Sequence, residues 1–406
     1  MPKNLSPDIV NQIRSTDDFK FYEKLSSLPE VQRTNQWIQK EAKKNPLSIR
    51  RHLLSTSVRL TETMSPSIHF MAQECIDRLG VQLPLELYVY SSPQFNAACF
   101  KPEQERLYVM FSSSLIENFS AQELKYVMGH ELGHHIYRHH DIPIGYLLKG
   151  EQKLNPRTIL ELFTWSRYAE ISADRAGAFC AQDFYAVASA LFKLSSGLTS
   201  DLIQFDLNDF LLQVDEMQVV DAQPTESAPE GDWFSTHPFS PLRVKALDVF
   251  HKSELMQEPE LSKDELEIQV QSLMGIMEPS YIEGKTEAAE AMRRLLFAGL
   301  IAVASASGGI IDKEVIVFEE FFGKDSFKES LNVDKLIDSL ERRAETVKQL
   351  ASFAQRNQLI RDLVIMAKAD NKVSARERQV IVNIANDIGL DSNDVEVAFV
   401  KEYELD

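Results

Sequence analysis

Five consecutive residues constrain this chain more than any others: His130-Glu131-Leu132-Gly133-His134. Two histidines four apart with a glutamate beside the first arise by chance on the order of 0.01 times per chain of this length. The arrangement is chemically useful only on a helix. There the two side chains differ by about 40° in direction and about 6 Å along the axis, so both imidazoles reach one ion. Glu131 is turned away by about 100°, off the ligand pair but beside a water that the ion would carry, which is where a general base belongs. Helix signals surround the motif. Ser120-Ala121-Gln122-Glu123 is a capping box, and Leu124, Val127, Met128 and Leu132 recur at helical spacing. The residues therefore predict a helix over 121–140 that presents His130 and His134 to a metal. Zinc suits them, because it accepts neutral imidazole, and a catalytic zinc takes three protein ligands with one position open.

The third ligand is sought in the next helical stretch, 157–182, at Ala169-Glu170-Ile171-Ser172-Ala173-Asp174-Arg175. Glu170 and Asp174 share one face, and Ala169, Ala173, Ala176 and Gly177 leave room for another helix to approach. Taken alone, the two acids read as surface partners of Arg167 or Arg175. Beside the histidine motif they read as third zinc ligand, Glu170, and as the carboxylate that orients a ligand imidazole, Asp174. One such site implies one Zn²⁺ per chain. His135, His139 and His140 also cluster, and His135 with His139 could in principle hold a second metal; a solvated helix end is the reading adopted.

The pattern around the motif is mixed. A helix ends at Gly80, and alternating Leu85, Leu87 and Val89, then Leu107, Val109 and Phe111, predict strands. Residues 92–100 read as a loop or short strand, and 186–194 as a helix. Residues 1–63 are polar, helical in pattern and without recognisable chemistry. The stretch 215–232 holds six acids, two prolines and no Lys or Arg, which is loop composition. The expected organisation is an N-terminal helical segment 1–63, a metal-bearing domain 64–252, a linker 253–285 and an all-α domain 286–406.

Composition narrows the partners. With 43 basic against 61 acidic residues the formal charge is −18, which disfavours nucleic acid and anionic membrane surfaces. Three cysteines without a CxxC pair predict no disulfide framework and fit a reducing compartment, the cytoplasm. The N-terminus has no apolar signal segment. The longest uncharged run, Leu295–Ile311, has 17 residues, and its serines and Gly-Gly pair predict a buried helix entering a turn and no integral membrane segment.

From Gly80 to Ala246 the chain resembles the M48 (HtpX-like) zinc metallopeptidases, a gluzincin group. The resemblance rests on Asn96-Ala97-Ala98, Ser114-Leu115, Glu123-Leu124, His130 to His134, Glu170 to Gly177, and Ser235-Thr236-His237-Pro238 followed by Arg243. It implies a mainly α fold with a small β-sheet, an α+β gluzincin-type core, and endopeptidase chemistry on peptides or unfolded protein. Glu131 would activate a zinc-bound water. It also implies that the strand Leu107–Phe111 lies at a sheet edge and pairs with extended substrate, with Asn96, Val109 and Arg243 in the substrate site. Thr-His-Pro recurs in the family, so His237 is assigned a role: donor to the oxyanion of the tetrahedral intermediate, or a fourth zinc ligand that keeps the enzyme latent under a gating acidic loop. Both stay open.

In the C-terminal part, Ala304–Glu314 and Ala367–Glu377 repeat at a separation of 63 residues, each between two helical stretches. The pattern resembles the TerB-like all-helical domain. Ser307 and Asn371-Lys372 depart from its acidic turn, so Glu314 and Glu377 are read as turn caps, and the domain 286–406 as a regulatory or partner-docking module. The alternative for the whole chain is a latent or non-catalytic peptidase-fold adaptor acting through that module, and a further rival is a zinc hydrolase of another class.

Overall fold

The structure, a computed structural model, describes residues 7–44, 49–149, 154, 156–200, 202–221, 237–256, 260–274, 287–306, 336–351, 353–367, 373–391 and 395. It is mainly helical with one small sheet, and it divides into two compact units. One comprises Met1–Ile144, Trp165–Val214 and His237–Leu273; the other comprises the rest of the chain.

The first unit opens with helices α1 (Pro7–Ile13), α2 (Thr16–Ser26), α3 (Pro29–Lys44) and α4 (Ile49–Thr56). Strand β1 (Val58–Leu60) follows, then α5 (Pro66–Leu79) and strands β2 (Leu85–Tyr90), β3 (Ala97–Glu103) and β4 (Arg106–Ser112). Helix α5 stops where expected, because Gly80 takes the left-handed conformation that ends helices, at φ 65°.

The strand order is β1-β2-β4-β3. Strand β4 runs parallel to β2, with Leu87 opposite Val109, and antiparallel to β3, with Cys99 opposite Val109. Leu107–Phe111 is thus interior, and the expectation that it is an edge strand is corrected. Val109 is wholly buried and its backbone is flanked on both sides. The edge on this side is β3, folded to the far side of β4 by a tight turn in which Gln104 and Glu105 both have positive φ. Alternation at 107, 109 and 111 marks the buried face of a strand; it carries no information about which neighbours the strand has.

Next come α6 (Ser113–Asn118) and α7 (Ala121–Ile136), which carries the histidine motif. The capping box forms: Ser120 Oγ accepts from the Glu123 N–H at 3.3 Å, and Glu123 Oε2 accepts from the Ser120 N–H at 2.6 Å. Helix α7 ends four residues earlier than expected. Arg138 turns left-handed at φ 61°, and His139–Asp141 form a short 3₁₀ turn. Helices α8 (Ile144–Lys149), α9 (Pro156–Ala181), α10 (Phe184–Ser196), α11 (Leu207–Asp221), α12 (Ser240–His251) and α13 (Lys263–Met274) follow.

Two expectations about connecting segments change. The acidic stretch is helical in α11 as far as Asp221, and 222–236 lie outside the described residues. Within 253–285, read as a linker, α13 forms and sinks Leu266 and Val270 into the first unit. Its Glu267 makes a 2.7 Å ion pair with the fully buried Arg175 of α9.

The second unit is held by α14 (Glu287–Ala306) and the helices Leu340–Leu350, Phe353–Ala367 and Ala375–Asp387. Met292, Leu295, Leu296 and Val303 of α14 pack with Val347, Leu363, Ile381 and Ile384. The long apolar run is therefore a core helix as far as Ala306, and 307–311 lie outside the described residues. Among the described residues no helix is long and apolar enough to cross a membrane. Of the two repeats, 307–314 and 368–372 also fall outside. Glu377 forms a capping box with Ser374, as a turn cap should.

Candidate metal centre

The site exists because α7 and α9 touch backbone to backbone. A Cβ on Gly133 would sit 2.9 Å from the Ala173 Cα and 3.0 Å from the Ala176 Cβ, and one on Gly177 would lie 2.6 Å from the Tyr126 carbonyl oxygen. Only glycine at both positions lets the helices come this close. Gly133 precedes His134, and Ala173 lies between Glu170 and Asp174, so this contact brings the two ligand-bearing turns together.

His130, His134 and Glu170 offer ligand atoms that all lie within 4.8 Å of one another. The His134 and His130 Nε2 atoms are 3.1 Å apart, and Glu170 oxygens lie 3.4 Å from His134 Nε2 and 3.6 Å from His130 Nε2. Ligands at about 2.0–2.1 Å from a tetrahedral zinc are separated by about 3.3 Å, so the spacing fits.

The hydrogen bonds fit as well. His130 Nδ1 lies 2.9 Å from Asp174 Oδ1 and donates to it, leaving Nε2 with a lone pair. His134 Nδ1 lies 2.9 Å from His139 Nδ1 and is fixed the same way. Two lone pairs then face each other at 3.1 Å, and Glu170 Oε2 is buried without a hydrogen bond. Arg243 Nη2 is 3.5 Å from that oxygen but makes no hydrogen bond to it, and a divalent metal between the three side chains would satisfy the set.

Charge at the site has the same sense. Burial, joined by the neighbouring His130 and His139, pushes His134 well below the ordinary histidine range, so it stays neutral. Burial opposes charge on His130, yet Asp174 and Glu170 outweigh it and raise His130. A pocket that draws a proton to one imidazole while leaving the next neutral favours positive charge between them.

Asp174 is fully buried, a position that would raise its pKa, but Arg243 and His130 hold it far below the carboxylate range. It accepts from Tyr126 Oη at 2.7 Å and from Arg243 Nε and Nη2 at 2.8 and 2.6 Å. Arg243, expected in the substrate site, is thus turned inward, and its guanidinium clamps the carboxylate behind His130. Tyr126 was legible in principle: it lies one turn before His130 on the same helix face.

Glu131 points toward β3, where its Oε2 accepts from the Cys99 N–H at 2.8 Å. Burial pushes its carboxyl up, with Glu170 adding to this and His130 opposing it. His237 lies at the open rim, half exposed, with Nε2 3.3 Å from Glu170 Oε1. It is outside the three-ligand cluster. Asn96 is exposed just before β3, its backbone paired with Ser112.

His139 overturns the solvated-end reading of the other histidines. It is buried, with Nδ1 on His134 and Nε2 3.1 Å from Asp18 Oδ2 on α2. The N-terminal segment, which reads as devoid of chemistry, therefore reaches the site.

Residues 62–152 and 153–250 match Peptidase family M48, and residues 293–399 match Tellurite resistance protein TerB. The plastoglobule-localized metallopeptidase 48 of Arabidopsis thaliana chloroplasts is 29% identical over 211 residues, covering 49% of this chain and 61% of that protein. A protease HtpX homolog of Helicobacter pylori is 25% identical over 218 residues, covering 44% of this chain and 65% of its own length. Another, from Ralstonia nicotianae, is 27% identical over 221 residues, 46% of this chain and 75% of that protein. The chain thus spans 61% and 65% of the first two relatives. No solved structure matches.

Proposed function

We propose, on the premise that residues 62–250 are an M48 peptidase core and residues 293–399 a TerB domain, that this chain is a zinc-dependent metalloendopeptidase. The observation that carries the reading is the gathering of His130, His134 and Glu170, whose ligand atoms lie within 4.8 Å of one another. These three residues would hold one Zn²⁺, which supplies Lewis acidity toward a peptide carbonyl and acidifies water.

The remaining work falls to the chain. Glu131 takes the proton from the attacking water and later delivers it to the leaving amine, its other oxygen steadied by the Cys99 N–H. Asp174, clamped by Arg243 and Tyr126, fixes His130 in the tautomer that keeps Nε2 for the metal. His237 stands beside Glu170 with Nε2 3.3 Å from Oε1, a position that serves either an oxyanion donor or a latent fourth ligand, and the sign of the rate change in His237→Ala separates the two.

Substrate docks on β3. The Asn96 carbonyl accepts from Ser112, so 98 and 100 face β4, while the backbones of 97 and 99 face outward. An extended peptide added there lies directly over Glu131. Three buried free cysteines fit a reducing compartment such as the cytoplasm, and the TerB domain is assigned to regulation or partner docking.

The test is metal analysis of purified protein together with proteolysis of a casein-like unfolded substrate, with and without chelator. Glu131→Gln should keep zinc and lose roughly 10²–10⁴-fold in activity. Activity within a few-fold of the parent would remove Glu131 from the mechanism, and a parent protein without stoichiometric metal would remove the reading altogether.

A further inference from the structure

A metal-binding imidazole needs something on its far nitrogen, and in this chain the support for His134 runs out of the peptidase core. His134 Nδ1 is 2.9 Å from His139 Nδ1, and His139 Nε2 is 3.1 Å from Asp18 Oδ2. The direction is forced. If His134 keeps Nε2 for the ion, its Nδ1–H must donate; His139 Nδ1 then accepts, so the His139 proton sits on Nε2 and donates to Asp18. A neutral histidine is ambivalent between its two tautomers, and the carboxylate removes that ambivalence.

Asp18 is equipped for the task. It is fully buried, and besides His139 it accepts from Arg14 Nε and Nη2 at 2.7 and 3.1 Å and from Trp165 Nε1 at 3.1 Å. All its lone-pair directions are taken, so it cannot swing away. Helix α2 is pinned in turn: the Ser15 N–H donates to Ser172 Oγ on α9 at 3.0 Å. The left-handed Arg138 breaks α7 just before His139, and that break brings the imidazole back under His134.

We propose that Asp18, on a helix outside residues 62–250, is a positioning residue for the metal site: acting through His139, it fixes the tautomer and orientation of His134. The N-terminal segment is then part of the metal centre. This rests on the zinc reading above.

Zinc affinity is measured by chelator competition on the full chain, and the d–d spectrum of the Co²⁺-substituted protein reports ligand geometry. Asp18→Asn and His139→Gln should each weaken zinc binding by about 10–100-fold, the usual effect of losing such support, and alter the Co²⁺ spectrum. Because Asp18 acts through His139, adding Asp18→Asn to His139→Gln should change affinity less than two-fold further. Asp17→Asn is the control: Asp17 is on the same helix but bonds Lys20 and Gln271, and its loss should leave affinity within two-fold. Folded Asp18→Asn protein with unchanged affinity and spectrum overturns the proposal, and so do effects that multiply in the double variant. If Asp18→Asn cannot be recovered folded, unchanged affinity in His139→Gln overturns it alone. A parent that binds no zinc defeats the zinc reading instead, so the two failures are distinguishable.

Discussion

The approach of α7 to α9 makes Gly133→Ala a sharp probe of the site. Two terms oppose each other. Alanine is the better helix former, by roughly 0.5–1 kcal/mol. Its methyl, however, would stand 2.9 Å from the Ala173 Cα and 3.3 Å from the Ala173 carbonyl oxygen. Ordinary contact begins near 3.4 Å, so the helices must part by about half an ångström. The obstacle is backbone, which cannot rotate aside. Overpacking of this kind costs roughly 1–3 kcal/mol, so the net change should be a loss of about 1–2 kcal/mol, or roughly 2–8 °C in Tm. The same displacement separates His134 from Glu170. A displacement of about 0.5 Å reaches the limit a preorganised site tolerates, so zinc affinity should fall. Gly145→Ala serves as the control: on α8, with nothing within 4 Å of the added methyl, it should be neutral or slightly stabilising. Thermal melts by circular dichroism and chelator competition read both quantities. A Gly133→Ala protein as stable as the parent with undiminished zinc affinity would refute the account of why the helices meet there.

Other outcomes follow from the same geometry. His134→Ala or Glu170→Ala should empty the site, and stoichiometric zinc in either protein would reassign the ligands. Stripping metal from the parent should lower Tm, because a metal that binds only the folded site stabilises it by mass action. His237→Ala should lower kcat on short peptides by roughly 10²–10³-fold if it donates to the oxyanion; a rise in rate would establish the latent-ligand role instead. Burial would raise Asp18, but His139 and Arg14 hold it at about 2. Its ionisation thus contributes stability that is full above its unfolded pKa of about 3.9 and is lost as pH falls through about 2. The contribution is roughly 2 kcal/mol, so unfolding of Asp18→Asn should be less sensitive to pH between about 4 and 2.

What could be read from the sequence was what is local. The Ser120–Glu123 box, the helical spacing and the histidine pair lie within fifteen residues, and the structure reproduces each of them. Glu170 and Asp174 were drawn to the site only by the histidine motif: taken alone they read as surface partners of Arg167 or Arg175, and the small residues around them only suited a close helix contact. Strand order was not legible, since β4 pairs with β2 across the intervening β3 and only the three-dimensional sheet shows which strand is outermost. His139 was misread for a similar reason. Its partner Asp18 is 121 residues away, and nothing near His139 in the chain distinguishes a buried imidazole from a solvated one. Arg243 was placed with the substrate because its motif is close to His237; its carboxylate partner lies 69 residues upstream.

The outer edge of β3 has a consequence for the solution behaviour of the protein. A strand edge that accepts any extended chain does not distinguish a substrate from a second copy of the protein. Here the ladder is short. Pro102 has no N–H to donate, the register breaks between Phe100 and Glu103, and the outward Cys99 N–H already donates to Glu131, so an added strand finds outward-facing backbone groups only at Ala97 and the Cys99 carbonyl. That is well short of the usual strand length of about 5–6 residues. A substrate docked there would have to be drawn in by contacts elsewhere at the centre, and each fragment, once cut, would keep only part of so brief a ladder. If substrate docks on β3 as proposed, so brief an edge would favour rapid exchange: it would resist growth into larger assemblies and release cut fragments without a separate step to eject them.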